Sequence, residues 1–134
     1  MTTMYQDRPL GAGVHDPATE PFFAATANGS LRIKLCVSCR KPHWYPRPLC
    51  PYCLGDTEWS DVTGKGEIYS VSVTRRAGPT PYAIAYVRLD EGITMLSNIV
   101  DCDLDSLRIG QRVHVVFKSA EDGTMIPMFA PDPG

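Results

Sequence analysis

The segment CVSCRKPHWYPRPLCPYC, residues 36–53, holds four of the five cysteines of this 134-residue chain. They form two C-x-x-C pairs, and each pair can turn two thiolates toward a single ion. The predicted ligands of one metal ion are Cys36, Cys39, Cys50 and Cys53. Because four thiolates complete a tetrahedron, no position is left for water or substrate, and we expect the metal to be structural.

Zinc is the ion that this spacing predicts, and iron in a rubredoxin-like site is the alternative, because four cysteines also suit iron. A piece of about thirty residues is too small to fold by apolar burial alone, so metal binding would supply folding energy. His43 lies between the two pairs, and with four cysteines present we interpret it as a surface histidine. Cys102 has no cysteine near it in sequence and is interpreted as an ordinary buried or edge thiol.

The segments on either side of the cysteines complete a zinc ribbon. LRIKLC, residues 31–36, alternates apolar and basic residues and predicts a strand that enters the first pair. The proline-rich KPHWYPRP, residues 41–48, is expected to form only a connecting arm, and LGDTEW, residues 54–59, turns back into a second strand. Upstream, residues 16–31 predict a short helix that Asp16 or Thr19 can cap and that ends at Asn28-Gly29. The first sixteen residues are interpreted as a loose arm.

From Gly64 onward the sequence predicts a small β-barrel. Five short segments rich in Val, Ile, Tyr and Phe alternate with turn residues, and DLDSL, residues 103–107, predicts one helical turn. The five predicted strands are 66–75, 81–89, 94–100, 112–117 and 124–129. A five-stranded OB-fold is the first choice, and an SH3-like barrel is the competitor. The chain is thus mainly β, with an arm and helix at 1–30, a zinc ribbon at 31–60 and an OB-fold at 61–134.

The net charge of −2 is unevenly distributed. Residues 21–55 contain no acidic residue but five basic ones, whereas residues 56–134 contain twelve acidic and seven basic groups. An OB-fold that follows a phosphate backbone needs a basic groove, so we do not expect a nucleic-acid partner. The alternative, a single-strand nucleic-acid binder, is favoured by RKPHWYPR, residues 40–47, which interleaves basic and aromatic residues.

The sequence shows no membrane segment and no catalytic motif. No apolar run approaches the roughly 18 residues of a transmembrane span, and the N-terminus is polar, so we expect a cytoplasmic protein. His15, His43 and His114 stand in no recognisable catalytic arrangement. The acidic pairs before Gly92 and Gly123 are typical of turns. We therefore predict that the chain is not an enzyme by itself.

Taken together, the order and spacing of these motifs resemble a known family. The segments that carry the resemblance are PFFAA (21–25), LRIKLCVSC (31–39), PRPLCPYC (46–53), EWSDVTGKGEIYSVSV (58–73), PYAIAYVRLDEG (81–92), IGQRVHVVF (109–117) and IPMFAP (126–131). The family is that of zinc-ribbon/OB-fold proteins linked to acyl-CoA metabolism, formerly a domain of unknown function. One departure is Arg40, since a glycine often follows the second cysteine of the first pair.

The resemblance implies a non-catalytic accessory subunit in a heteromeric complex. Such subunits bind and stabilise a thiolase-fold enzyme, either a thiolase, an aldolase or an acyltransferase, and help to hold acyl-CoA. The ribbon and the N-terminal helix usually contribute to the contact. An independent acyl-CoA enzyme is the alternative, and turnover by the purified chain alone would reveal it.

Two groups of residues are candidates for these roles. Arg75 and Arg76 are candidates for binding CoA phosphates, with a solvated turn as the alternative. The candidates for the partner interface are Phe22, Phe23, Trp44 and Tyr45. The alternative for the two phenylalanines is packing on the ribbon or core, and for Trp44 and Tyr45 it is packing over the metal knuckles.

Overall fold

The computed structural model describes residues 3–11, 16–76, 78 and 80–132, and these residues form a mainly β protein. Its elements are α1 Glu20–Ala27, β1 Leu31–Cys36, β2 Pro42–His43, β3 Thr57–Val62, β4 Lys65–Thr74, β5 Tyr82–Leu89, β6 Thr94–Ile99, a 3-10 turn Leu104–Ser106, β7 Arg112–Ser119 and β8 Met125–Pro131. The predicted helix, ribbon and five-stranded barrel are thereby confirmed.

The helix α1 begins and ends where the sequence predicts. The Asp16 carboxylate accepts the N–H groups of Ala18 and Thr19 at 2.9 and 3.0 Å, and this turn leads into the helix. At the other end Gly29 has a φ of +78°, a conformation that glycine adopts at little cost. No helix of the described residues is long and apolar enough to cross a membrane.

The ribbon is a three-stranded antiparallel sheet in the order β2-β1-β3. The β1–β3 register runs from the pair Leu31–Val62 to the pair Cys36–Thr57. The proline-rich arm is more than the predicted connection, because Pro42 and His43 pair with β1 as the edge strand β2. An edge strand can accept a proline, since no N–H is needed on its outer side.

The barrel closes in the strand order β4-β5-β6-β8-β7. Antiparallel pairing between β4 and β7 completes the ring, while β6 and β8 meet in a short parallel pairing at Ile99 and Phe129. A register shift in β4 between Ile68 and Ser70 bends the strand. The predicted helical turn is present as the 3-10 turn between β6 and β7.

One hydrophobic core joins the helix, the ribbon and the barrel. Phe22 of α1 and Leu31 and Ile33 of β1 belong to the same buried cluster as the barrel residues Ile68 and Phe129. For Phe22, packing on the chain's own core is therefore what the structure shows. The ribbon is supported from two sides, by this core and by its cysteine cluster.

The prediction of a loose N-terminal arm is wrong for residues 3–11. The carbonyl of Thr3 accepts the N–H of Leu104 at 2.7 Å, and the N–H of Tyr5 donates to the carbonyl of Cys102 at 2.8 Å. Further along, the carbonyl of Leu10 accepts the N–H of Glu121 at 3.0 Å. The arm is fastened because it satisfies backbone groups of barrel connections, which the sequence does not place beside it.

We expect Gly66→Ala to lower the free energy of unfolding by about 1–3 kcal/mol. Gly66 pairs with both Leu89 and Val113 where the barrel closes, and an added Cβ would clash with the carbonyl oxygen of Arg88. Gly11→Ala is the control, because its Cβ would meet no atom of the described residues within 4 Å. Urea unfolding measures both variants, and equal stabilities would contradict the close approach at Gly66.

Candidate metal centre

The structure brings the four predicted metal ligands into one group. The Sγ atoms of Cys36, Cys39, Cys50 and Cys53 all lie within 4.8 Å of one another. The Cys36–Cys53 and Cys39–Cys50 sulfur distances are 3.5 and 3.8 Å. A tetrahedral ion with metal–sulfur bonds of about 2.3 Å needs sulfurs about 3.8 Å apart, so the donor set fits one ion.

Two similar turns, or knuckles, present these sulfurs. In the first, the N–H groups of Ser38 and Cys39 both point at the Cys36 sulfur, at 3.3 Å. In the second, the N–H of Tyr52 points at the Cys50 sulfur at the same distance, 3.3 Å. The N–H groups stabilise negative charge on the first sulfur of each knuckle.

The residue that follows each knuckle has a left-handed backbone. Arg40 has a φ of 61° and Leu54 a φ of 63°, and their N–H groups bond to the carbonyls of Cys36 and Cys50 at 3.1 and 2.9 Å. This geometry explains why glycine is common at the position of Arg40, since a side chain there costs roughly 1–2 kcal/mol. Gly55 comes next, and an added Cβ would lie 3.3 Å from the sulfurs of Cys36 and Cys53.

The electrostatics of the cluster differ between its sulfurs. The N–H of Gly55 favours the Cys53 thiolate, but the hydrogen bond with Cys36 and burial outweigh it and raise the pKa of Cys53 to about 11. The N–H of Cys39, followed by that of Ser38, lowers the pKa of the Cys36 thiol to about 6, although burial opposes the shift. Cys36 is therefore a thiolate at neutral pH, the form that binds metals. Four thiolates around a divalent ion leave a net negative charge, and the basic residues of the same loops offset it. They are Arg40, Lys41 and Arg47.

The fifth cysteine is separate from this group. Cys102 is half-buried, and its backbone carbonyl accepts the N–H of Tyr5 in the N-terminal arm. Burial, and then the carboxylates of Asp103 and Asp101, raise the pKa of the Cys102 thiol to about 11. It is protonated at neutral pH, as expected of an ordinary buried or edge thiol.

The prediction of a surface position for His43 is wrong, because its side chain is only 3% exposed. The pairing of β2 with β1 buries it, and this pairing has no signal in the proline-rich sequence. Neither ring nitrogen has a hydrogen-bond partner among the described residues. Burial, and then the charges of Arg47 and Lys34, lower the pKa of His43, so the ring is neutral at neutral pH.

The four predicted interface residues lie together as a row of aromatic rings. The ring of Phe22 lies 5.2 Å from those of Phe23 and Trp44, and Trp44 lies 5.4 Å from Tyr45. Phe22 is buried and Tyr45 is exposed. The row therefore runs from the shared core to the surface, next to the ribbon.

The two arginines after β4 differ in their surroundings. The guanidinium of Arg75 binds the Asp105 carboxylate through Nη2 and Nε at 2.6 and 2.7 Å. Arg76 is exposed and has no ion pair within the part of the chain that the structure describes. Ala77 and Pro79 of the predicted turn, like His15, lie outside the described residues.

One further group of surface residues is not among the predicted sites. Ile84, Tyr86 and Leu96 are exposed on the outer side of β5 and β6. The segment YAIAYV, residues 82–87, could have indicated them, because its residues are apolar on both faces of the strand.

Two family models match adjoining parts of the chain. They are the ChsH2 rubredoxin-like zinc ribbon domain, over residues 23–60, and the ChsH2 C-terminal OB-fold domain, over residues 59–118. A DUF35 domain-containing scaffold protein of Methanothermobacter thermautotrophicus is 39% identical over 103 residues, which cover 67% of this chain and 76% of the relative.

Two other proteins are similar over most of the chain. A probable enoyl-CoA hydratase alpha subunit of Thermomonospora curvata is 32% identical over 116 residues, 82% of this chain but only 36% of that protein. Among solved structures, the Ltp2-ChsH2(DUF35) aldolase contains a chain with 28% sequence identity and a TM-score of 0.78, and the match covers 90% of this chain and 98% of that one.

We expect Cys50→Ser to abolish stoichiometric metal binding and to lower the free energy of unfolding by about 3 kcal/mol or more, because metal binding is folding energy here. Cys50 is fully buried among the four sulfurs, whereas Cys102 lies outside the group. Cys102→Ser is thus the matched control and should keep one metal ion per chain. Elemental analysis and urea unfolding test both variants, and full metal content in Cys50→Ser would refute the site.

Proposed function

Since the chain belongs to the DUF35 family of zinc-ribbon and OB-fold proteins, we propose that it is a non-catalytic accessory subunit of a thiolase-fold acyl-CoA enzyme. It binds and stabilises that enzyme, which is a thiolase, an aldolase or an acyltransferase. The observation that carries the proposal is the match over 90% of the chain to the Ltp2-ChsH2(DUF35) aldolase, whose name joins a DUF35 component to a second component.

The composition of the cysteine cluster supports a structural role for its metal, which we take to be zinc. All four donors are cysteines, so a tetrahedral ion has no open position for a substrate. When bound, zinc would cross-link the two knuckles and neutralise part of the thiolate charge. Elemental analysis distinguishes zinc from iron, the two candidate metals. One iron ion per chain and no zinc would show that the metal is iron.

The aromatic row beside the ribbon supports a contact with a larger protein. Phe22 anchors the row in the core, while Tyr45 presents its ring to solvent. Exposed aromatic side chains held by a buried neighbour are typical of interface anchors, because little conformational freedom is lost on binding. Phe23, Trp44 and Tyr45 therefore belong to the proposed contact, and Phe22 supports them from inside.

A role in holding acyl-CoA is supported chiefly by Arg76. Its guanidinium is exposed after β4, whereas that of Arg75 is engaged with Asp105. An arginine without an existing ion pair can form charge-assisted hydrogen bonds to a CoA phosphate at a smaller free-energy cost, because no ion pair has to be broken first. Of the two predicted residues, Arg76 is thus the stronger candidate.

Co-expression with a thiolase-fold protein of the source organism, first of all one encoded in a neighbouring reading frame, tests the proposal. We expect the two proteins to co-purify and the melting temperature of the thiolase-fold protein to rise in the complex, because binding to the folded state stabilises it. Acyl-CoA turnover should be found with the complex and not with this chain alone. Turnover by the isolated chain, or no association with any such thiolase-fold protein, would contradict the proposal.

In that complex, Arg76→Ala should raise the KM for acyl-CoA about fivefold, which corresponds to one exposed charge-assisted hydrogen bond. Arg108→Ala removes an exposed arginine from the loop before β7 and is the control. Steady-state kinetics of the complex measure both. An unchanged KM in Arg76→Ala would mean that the arginine is only part of a solvated turn.

A further inference from the structure

The outer surface of β4, β5 and β6 is apolar although it faces solvent. The cross-strand register places Tyr86 opposite Ser70 and Leu96, and it places Ile84 opposite Ser72 and Asn98. We call this surface the β4–β6 face. It consists of Glu67, Tyr69, Ser70, Ser72, Ile84, Tyr86, Arg88, Thr94, Leu96 and Asn98.

The large apolar side chains of this face are well exposed. Tyr69 is 54%, Ile84 41%, Tyr86 48% and Leu96 53% exposed. Between them lies a shallow depression of about 180 Å³, which is lined by serines of β4 and by Ile84, Tyr86 and Leu96. A solvated sheet face normally carries polar residues, so a contiguous apolar patch indicates an interaction surface.

The charge of the face limits what can bind there. Its two charged residues, Arg88 and Glu67, are opposite each other in the register at one end of the face, and the Arg88 guanidinium lies over the Tyr69 ring, 4.6 Å from its centroid. The ion pairs of the barrel involve Arg75, Arg112 and Lys118, none of which belongs to the face. Oligonucleotide-binding OB-folds use the surface of their second and third strands, here β5 and β6, but a phosphate backbone requires basic groups along it. A partner that matches this face therefore presents an apolar surface without charged groups.

The ribbon provides a useful contrast. Its exposed apolar residues include Leu49, Tyr52 and Leu54, but charged residues lie among them, and Lys41 is placed over the Tyr52 ring at 5.2 Å. Interface cores are depleted of charged residues and enriched in aromatic ones, while charges belong to the rim. By this criterion the β4–β6 face has the composition of an interface core, and the ribbon surface has that of a rim.

We propose that the β4–β6 face is the central contact with the thiolase-fold subunit, and that it docks on an apolar, uncharged surface of that protein. This inference rests on the proposed function. It adds a second contact to the aromatic row of the ribbon, and the buried centre of the complex lies on the barrel. Tyr86 and Leu96 are its anchors, because they are neighbours in register and lie at the depression.

The test compares two charge insertions at exposed apolar residues. Leu96→Glu places a carboxylate in the middle of the face, whereas Ile109→Glu places one at a 71%-exposed residue of the loop before β7. The dissociation constant for the thiolase-fold protein of the co-expression experiment is measured by calorimetry. Leu96→Glu should weaken binding about thirtyfold or more, and Tyr86→Ser about tenfold, while Ile109→Glu should leave binding unchanged. Melting temperature and metal content verify that each variant folds.

The remaining outcomes separate the inference from the proposed function. If the wild-type chain binds the thiolase-fold protein and Leu96→Glu binds it equally well, the face is not the contact, and the proposed function stands. If the wild-type chain does not bind, both fail. Light scattering of the isolated chain and anisotropy with a labelled single-stranded oligonucleotide complete the test. A dimer, or oligonucleotide binding, that Leu96→Glu abolishes would assign the face to a second copy or to nucleic acid and overturn the proposal.

Discussion

Four thiolate sulfurs held within 4.8 Å of one another are the constraint on which the rest of the ribbon depends. An ion bound between them would join the two knuckles, and its binding energy would add to the folding energy of the sheet. The grouping of the four sulfurs goes together with the position of the end of β1 beside the start of β3, where Cys36 pairs with Thr57. It also holds the arm between the knuckles close enough to β1 for β2 to form. The ribbon then presents Leu31 and Ile33 to the core that it shares with α1 and the barrel.

The same constraint explains the uneven charge of the chain. The five basic residues between positions 21 and 55 lie in the segment that contains the cysteines, and the negative cluster needs compensation there. Considered alone, the positive charge of this segment could have indicated a binding site for a polyanion. In the folded ribbon two of the five basic residues pair with carboxylates of β3, Arg32 with Asp61 at 2.7 Å and Arg40 with Glu58 at 3.1 Å. The other three lie in the segment that would hold the negative metal cluster.

The strands of the barrel carry apolar residues both on their buried side and on part of their exposed side. Its strands bury one face against the shared core, where Val87, Ile99 and Phe129 are fully enclosed. On the opposite face of β5 the side chains of Ile84 and Tyr86 remain exposed. A strand that is apolar on both faces normally lies between two layers, but here the second layer is not supplied by the described part of the chain. The proposed docking face lies on the strands of a closed barrel, where a contact would need no reordering of the backbone.

The sequence by itself determined the features that depend on neighbouring residues. The metal ligands follow from the spacing within each C-x-x-C pair, the helix from its capping residues and terminal glycine, and the five barrel strands from apolar runs between turns. Tertiary structure alone decided the burial of His43, the fastening of residues 3–11, and the pairing of Arg75 with Asp105. Each of these depends on a partner distant in sequence or on a pairing without local signal. Such contacts become defined only when the ribbon and the barrel close on one core.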